Sequence, residues 1–255
     1  AFGLQPKGRE FEPRTLHSFL HGTHLLPHLG GAVALADSLA SSAAPFGVES
    51  PAYVAIRAVM YLSALSIIGA CAFILLIATR VSHLSGSYLK VSTVVPATRR
   101  FAAWASAVLV LALLARLVAQ GYAVSEGGPL LIAPLLESTY WGWGWLVGAG
   151  AAALIVIALL AGKGSRASWR VVAVGTMALA LSFSLTGHAL SQPTNAALFV
   201  LLDMVHVMAA GGWLGTLLVV STIGLRTVTM LPPERRRHAA AELINAFSTF
   251  ALLCV

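Results

Sequence analysis

Charge is what this sequence has least of. Asp, Glu, Lys and Arg make up 10% of its 255 residues, against about a quarter in an ordinary soluble domain. A chain with so few polar groups could not cover its own surface in water, which excludes a soluble globular fold. Cysteine is nearly absent. Cys71 lies in an apolar run and Cys254 is the penultimate residue, so neither a disulfide framework nor a CxxC metal or redox motif is available. There is no Walker loop, no dinucleotide-binding glycine fingerprint and no Ser-His-Asp order to defend, and the water-soluble enzyme classes go with them. The start, Ala1 to Gln5, lacks the basic and then apolar pattern of a secretory signal. There is no initiator Met and the chain stops inside an apolar segment, so both ends are expected to be incomplete.

What is present is hydrocarbon. Hydrophobic residues make up 58% of the chain and mean hydropathy is +0.85. In a bilayer every backbone amide needs an internal partner, so spanning elements are helices or a closed barrel. The apolar runs here are long and continuous rather than alternating, which selects helices. Five spans are predicted, at about 53–79, 101–122, 141–161, 170–189 and 196–225, with the start of a sixth near Glu242. The expected fold is therefore an all-α polytopic bundle, residues 53–255, preceded by a His-rich segment, residues 1–52. Within that segment Leu29 to Ala44 is apolar but short and carries Gly30, Gly31 and Asp37. It is expected to be interfacial or external rather than spanning.

The 16 basic residues outnumber the 9 acidic ones, a balance that in a soluble protein would raise nucleic acid as a partner. Here their placement in short loops excludes that reading and makes lipid the partner. Arg80, Lys90, Arg99 and Arg100 follow the first span, Lys163, Arg166 and Arg170 the third, and Arg226, Arg235, Arg236 and Arg237 the fifth. The alternate loops hold Glu126 and Glu137 or no charge at all. The basic loops, 80–100, 162–170 and 226–242, are thus expected in the cytoplasm. Trp141, Trp143 and Trp145 then fall at the outer interface.

Two stretches carry residues capable of chemistry. His17, His21, His24 and His28 recur at +4, +3 and +4, which places them on one arc of a helix. Adjacent pairs could share a metal, since imidazole is a ligand for copper, zinc and nickel. The stripe is roughly 16 Å long at 1.5 Å per residue, too long for one ion, and Pro27 interrupts it. A polar, solvent-facing stripe is the competing reading.

The second stretch is the fifth span, where Asp203, His206, Ala210 and Trp213 share a face and Met204 and Met208 form a pair four apart. Ionisable residues inside a span face the bundle interior or a wet cavity. Carboxylate, imidazole and thioether together suit a copper ion, and Asp203 paired with a basic residue and methionines used for packing is the alternative. His188, ending the fourth span, and His206, about 15 Å deeper, fall in the same outer half. Arg57 and Arg116 also enter the outer half, and Asp203 is the one carboxylate well inside a span, so an Arg57–Asp203 or Arg116–Asp203 pair is expected. Gly211 and Gly215, four apart, predict a close helix crossing.

His206 followed seven residues later by Trp213-x-Gly215, with Thr186-Gly187-His188-Ala189 before it and Asn245-Ala246-Phe247-Ser248 after it, resembles the copper resistance protein D (CopD) family. An Arg or similar residue commonly precedes Phe-Ser in that family, and here Asn245 and Ala246 stand there instead. The resemblance covers about residues 53–255 and implies an inner-membrane protein, not an enzyme, that handles copper, often beside a periplasmic copper-binding partner. The donors it would use are His206, His188, Asp203, Met204 and Met208; the family pattern gives no role to His17, His21 and His24. Two other functions fit the same residues. One is a membrane oxidoreductase with haem held by His188 and His206. The other is an accessory subunit of a larger membrane complex with no chemistry of its own.

Overall fold

The computed structural model describes residues 50–84, 91–125, 128–187 and 194–255, and all of these lie in the compact unit Phe46–Val255. Within them every regular element is helical. Five helices are long and apolar enough to cross a membrane: Pro51–Val81, Thr93–Ser125, Tyr140–Ala161, Arg166–Leu185 and Ala196–Thr229. We label the elements α1 (Pro51–Ala72), α2 (Val91–Ser125), α3 (Ile132–Ser138), α4 (Tyr140–Ala161), α5 (Arg166–Leu185), α6 (Ala196–Ala210) and α7 (Pro233–Cys254). The five predicted spans are α1, α2, α4, α5 and α6. The predicted interfacial segment 29–44 lies outside the described residues.

Local chemistry explains the helix starts. Ser50 caps α1 by accepting the Tyr53 N–H, and Pro51 fills the first turn, where its missing donor does no harm. Thr139 accepts the Gly142 N–H at 2.9 Å and Ser165 accepts the Ser168 N–H at 3.2 Å, starting α4 and α5. The Ser165 cap begins the fourth span at Arg166, four residues earlier than hydropathy alone predicts, because a basic side chain can extend toward the headgroups. That span ends at Leu185, where the Thr186 N–H closes onto Ser182 O, rather than at Ala189. The last helix begins at Pro233, well before Glu242, since hydropathy counts only the apolar part of a helix.

Several serines and threonines inside the spans satisfy themselves. Ser63 donates to Val59 O at 2.8 Å, Ser66 to Leu62 O at 2.7 Å and Thr98 to Val94 O at 2.9 Å. Ser106 bonds Ala102 O at 2.7 Å and Ser184 bonds Ala180 O at 3.2 Å. Each closes on the carbonyl four residues back in its own helix, so none leaves an unmet demand in hydrocarbon.

The core is built from Met60, Ile67, Phe73, Leu109, Ile155, Trp169, Leu179 and Phe183, all essentially inaccessible. Tyr61 and Phe183 meet edge to face, centroids 4.9 Å apart. Lipid is as apolar as these side chains, so dispersion and close fit rather than hydrophobic transfer hold the helices together. The closest fit is where α1 crosses the fifth span. A Cβ added to Gly215 would strike the Leu65 carbonyl oxygen, and one added to Gly69 would strike the Gly215 backbone. Thr216 Oγ1 donates to Gly69 O at 3.3 Å across the same crossing. The predicted glycine approach is therefore present, with Gly215 against backbone and Gly211 against the Ile68 side chain.

Three widened π turns interrupt the two helices that cross there: Phe73–Ala78 beyond α1, and Gly211–Gly215 and Val220–Gly224 beyond α6. Nothing in the hydropathy pattern anticipates them, nor the short helix α3 between the second and third spans.

Candidate functional site

The predicted donors of the fifth span do not all share one side of it. His206 is exposed, Asp203 is half-buried, and Trp213 is exposed in the π turn that follows α6. Met204 and Met208 are half-buried and pack against the main core. Asp203, His206 and Met204 thus stand within one turn of α6, but the described residues contain no group of three or more His, Cys, Asp or Glu side chains that could hold a metal ion. His188, His17, His21 and His24 lie outside the described residues.

The predicted pairing of Asp203 with an arginine is not formed: no ion pair joins it to Arg57 or Arg116. Arg116 is 5% exposed and is held by the end of α5 instead. Its Nη1 donates to Thr186 Oγ1 at 3.1 Å and Nη2 to Thr186 O at 3.4 Å. The guanidinium stands 5.5 Å from the Trp141 ring centroid, and Nη1 lies 3.7 Å from Met60 Sδ. The physical reason is the helix terminus. The last carbonyls of α5 have no partners in their own helix and carry the negative end of its dipole, so they take a cation without any carboxylate. Arg116 Nε is left without an acceptor among the described residues. Nearby, the Tyr53 hydroxyl donates to Gln120 Oε1 at 2.5 Å, tying α1 to α2 at the same end of the bundle.

Sequence reasoning noticed Arg116 but assigned its partner by charge alone. Thr186 was legible only as part of a Thr-Gly-His step, not as the end of a helix. At the opposite end, His238 pairs with Glu242 at 3.0 Å, four residues apart on α7. Trp169, fully buried at the start of α5, keeps its indole N–H without an acceptor among the described residues. A buried donor left unmet costs about 1–3 kcal/mol.

At the end of the bundle that holds Arg116 the charged side chains lie on different helices. Arg57 and Arg116 put cations on the side where α1 and α2 meet, whereas Asp203 and His206 put a carboxylate and an imidazole on the fifth span.

Comparison with known sequences adds one match. The family described as Copper resistance protein D-like, N-terminal domain, matches residues 48–197. The match takes in the first four spans and the Thr186–Ala189 step, and it stops where the fifth span begins, so Asp203–Gly215 lies beyond it. No curated protein and no solved structure matches.

Proposed function

Because the chain belongs to the copper resistance protein D-like family, we propose that it moves copper across or into the bacterial inner membrane, taking the ion from the outer, periplasmic side. The basic loops then face the cytoplasm. The observation that carries the reading is the polar face of the fifth span, where Asp203 and His206 stand on an otherwise apolar, largely uncovered helix. A charged carboxylate at mid-bilayer costs about 2.5–3.5 kcal/mol on insertion scales. A helix that retains one beside an imidazole, with Met204 and Met208 within a turn, has a composition suited to meeting an ion.

The donors act as a sparse relay. A transport path needs sites strong enough to accept the ion and weak enough to release it. Two or three donors per station suit this better than a closed four-ligand cage. Imidazole serves either copper oxidation state, and the thioethers favour Cu(I). His188 and the N-terminal histidines His17, His21 and His24 extend the donor set on the outer side, where a periplasmic copper-binding protein would deliver its load.

Replacing His206 by Ala is expected to lower copper accumulation in cells expressing the protein, with membrane levels unchanged by immunoblot. Unaltered accumulation together with unaltered copper sensitivity would remove His206 from the path. An absorption spectrum of the same purified protein separates this reading from a haem protein, whose Soret band would appear in the parent and vanish in the variant.

A further inference from the structure

Within the five spans the one carboxylate is Asp203 and the one imidazole is His206. Three residues apart, they are separated by about 4.5 Å along the helix axis and occupy neighbouring positions of one surface. Neither forms a hydrogen bond or ion pair among the described residues. His206 is exposed and Asp203 half-buried, away from the edge of α6 where Val200 and Val207 are buried. Hydrocarbon offers such groups no partner, and leaving them unmet there is costly.

The surface around them has the pattern of a helix contact. Phe199, Leu202, His206 and Ala209 recur at +3, +4 and +3, the spacing of a seam between two packed helices. Phe199 is 43% and Leu202 54% exposed, and Ala209 and Ala210 are small enough to let a neighbour come close. What that neighbour must supply is set by charge and by donor number. One chain brings a single carboxylate and a single imidazole here, and no three His, Cys, Asp or Glu side chains gather to hold a metal among the described residues. A copper(II) ion in hydrocarbon needs two negative charges to balance it and a tetragonal set of nitrogen and oxygen donors. A second copy of the chain brings the same pair again, and the two pairs together meet both needs.

We propose that two copies of this chain pack along their fifth spans and hold one copper(II) ion between them, each giving Asp203 and His206. The contact is isologous, about a two-fold axis along the bilayer normal, so each seam meets its own image at the same depth. The inference rests on the copper-handling reading of these residues and adds the remainder of the coordination set. When the copies part, each half keeps two donors, few enough to let the ion go.

The test uses the purified full chain in neutral detergent, loaded with copper(II) alone. Bound copper is counted as the difference between the parent and His206→Ala, which leaves any ion on the N-terminal histidines in both. The difference is expected to be about one ion for every two chains, with an electron paramagnetic resonance signal split by two equivalent nitrogens. Asp203→Asn should lose the same ion. Leu202→Cys in a Cys254→Ser background should give a disulfide-linked dimer in oxidised membranes, whereas Ile157→Cys, on an exposed position of α4, should not. One ion per chain, a single coupled nitrogen, or no Leu202→Cys dimer overturns the shared site. So does a dimer whose copper content is the same with and without the His206 ring. Any of these beside lowered copper accumulation in His206→Ala leaves the transport reading standing and sinks this inference alone. Unchanged accumulation with no difference in bound copper removes both. His206 is exposed, so its replacement leaves the core intact, and Asp203→Asn is read only from a monodisperse gel-filtration peak.

Discussion

The first and fifth spans are near twins in length, 31 and 34 residues, and both are apolar throughout, yet 67% of the most apolar window of one is buried inside the bundle and only 22% of the other. The first span is wrapped by α2, α5 and the fifth span and contributes Met60, Ala64, Ile67 and Phe73 to the core. The fifth touches the bundle along one edge, chiefly Val207, Gly211, Gly215, Val219 and Val220. Burial therefore does not follow from hydropathy. It follows from how many neighbours surround each helix. The first span is thus the one the others pack around, whereas the fifth presents Asp203 and His206 away from its most buried edge.

The sharpest way to break the comparison is at the crossing the two spans share. Gly215→Val should be the most damaging single change, because its side chain would enter the Leu65 backbone and force the helices apart. A loss of about 3 kcal/mol or more is expected from overpacking against atoms that cannot move aside, read as loss of the monodisperse gel-filtration peak. A smaller effect is expected at Arg116→Lys. The charge stays, but one ammonium cannot reproduce the two-nitrogen hold on Thr186. Stability should fall by about 1–3 kcal/mol, read as a lower Tm in detergent. Least is expected at Gly150→Ala, which has open space around the new methyl. It should leave stability unchanged or raise it by about 0.5–1 kcal/mol through better helix propensity. A destabilised Gly150→Ala would mean that the lipid-facing side of α4 is covered after all.

Much of the fold was legible in the sequence because hydrocarbon thickness sets a length that counting can find. All five spans are at their predicted places, and the glycines at 211 and 215 mark a real crossing. The finer geometry was not legible, for a specific reason. Assigning Asp203, His206, Ala210 and Trp213 to one face assumed 3.6 residues per turn, but the helix widens at Gly211. Residues past that point are turned relative to those before it, so a face counted from Asp203 holds only as far as Ala210. The partner of Arg116 was missed because a helix end is a partner without a charge, and sequence charge-matching finds only carboxylates. The unmet Trp169 N–H had no signal at all, since an indole at a helix start looks the same whether or not its N–H is met.

The serines and threonines that close on their own helices have a consequence for how the molecule is made. A segment whose hydroxyls are already spoken for enters the bilayer as a self-sufficient rod, indifferent to whether its neighbours have arrived. Successive rods can then be threaded in as they are synthesised, with none of these hydroxyls stranded in a half-built intermediate. Recognition between rods falls to relief, the knob of one surface and the notch of the next, and to the few long polar side chains that reach across.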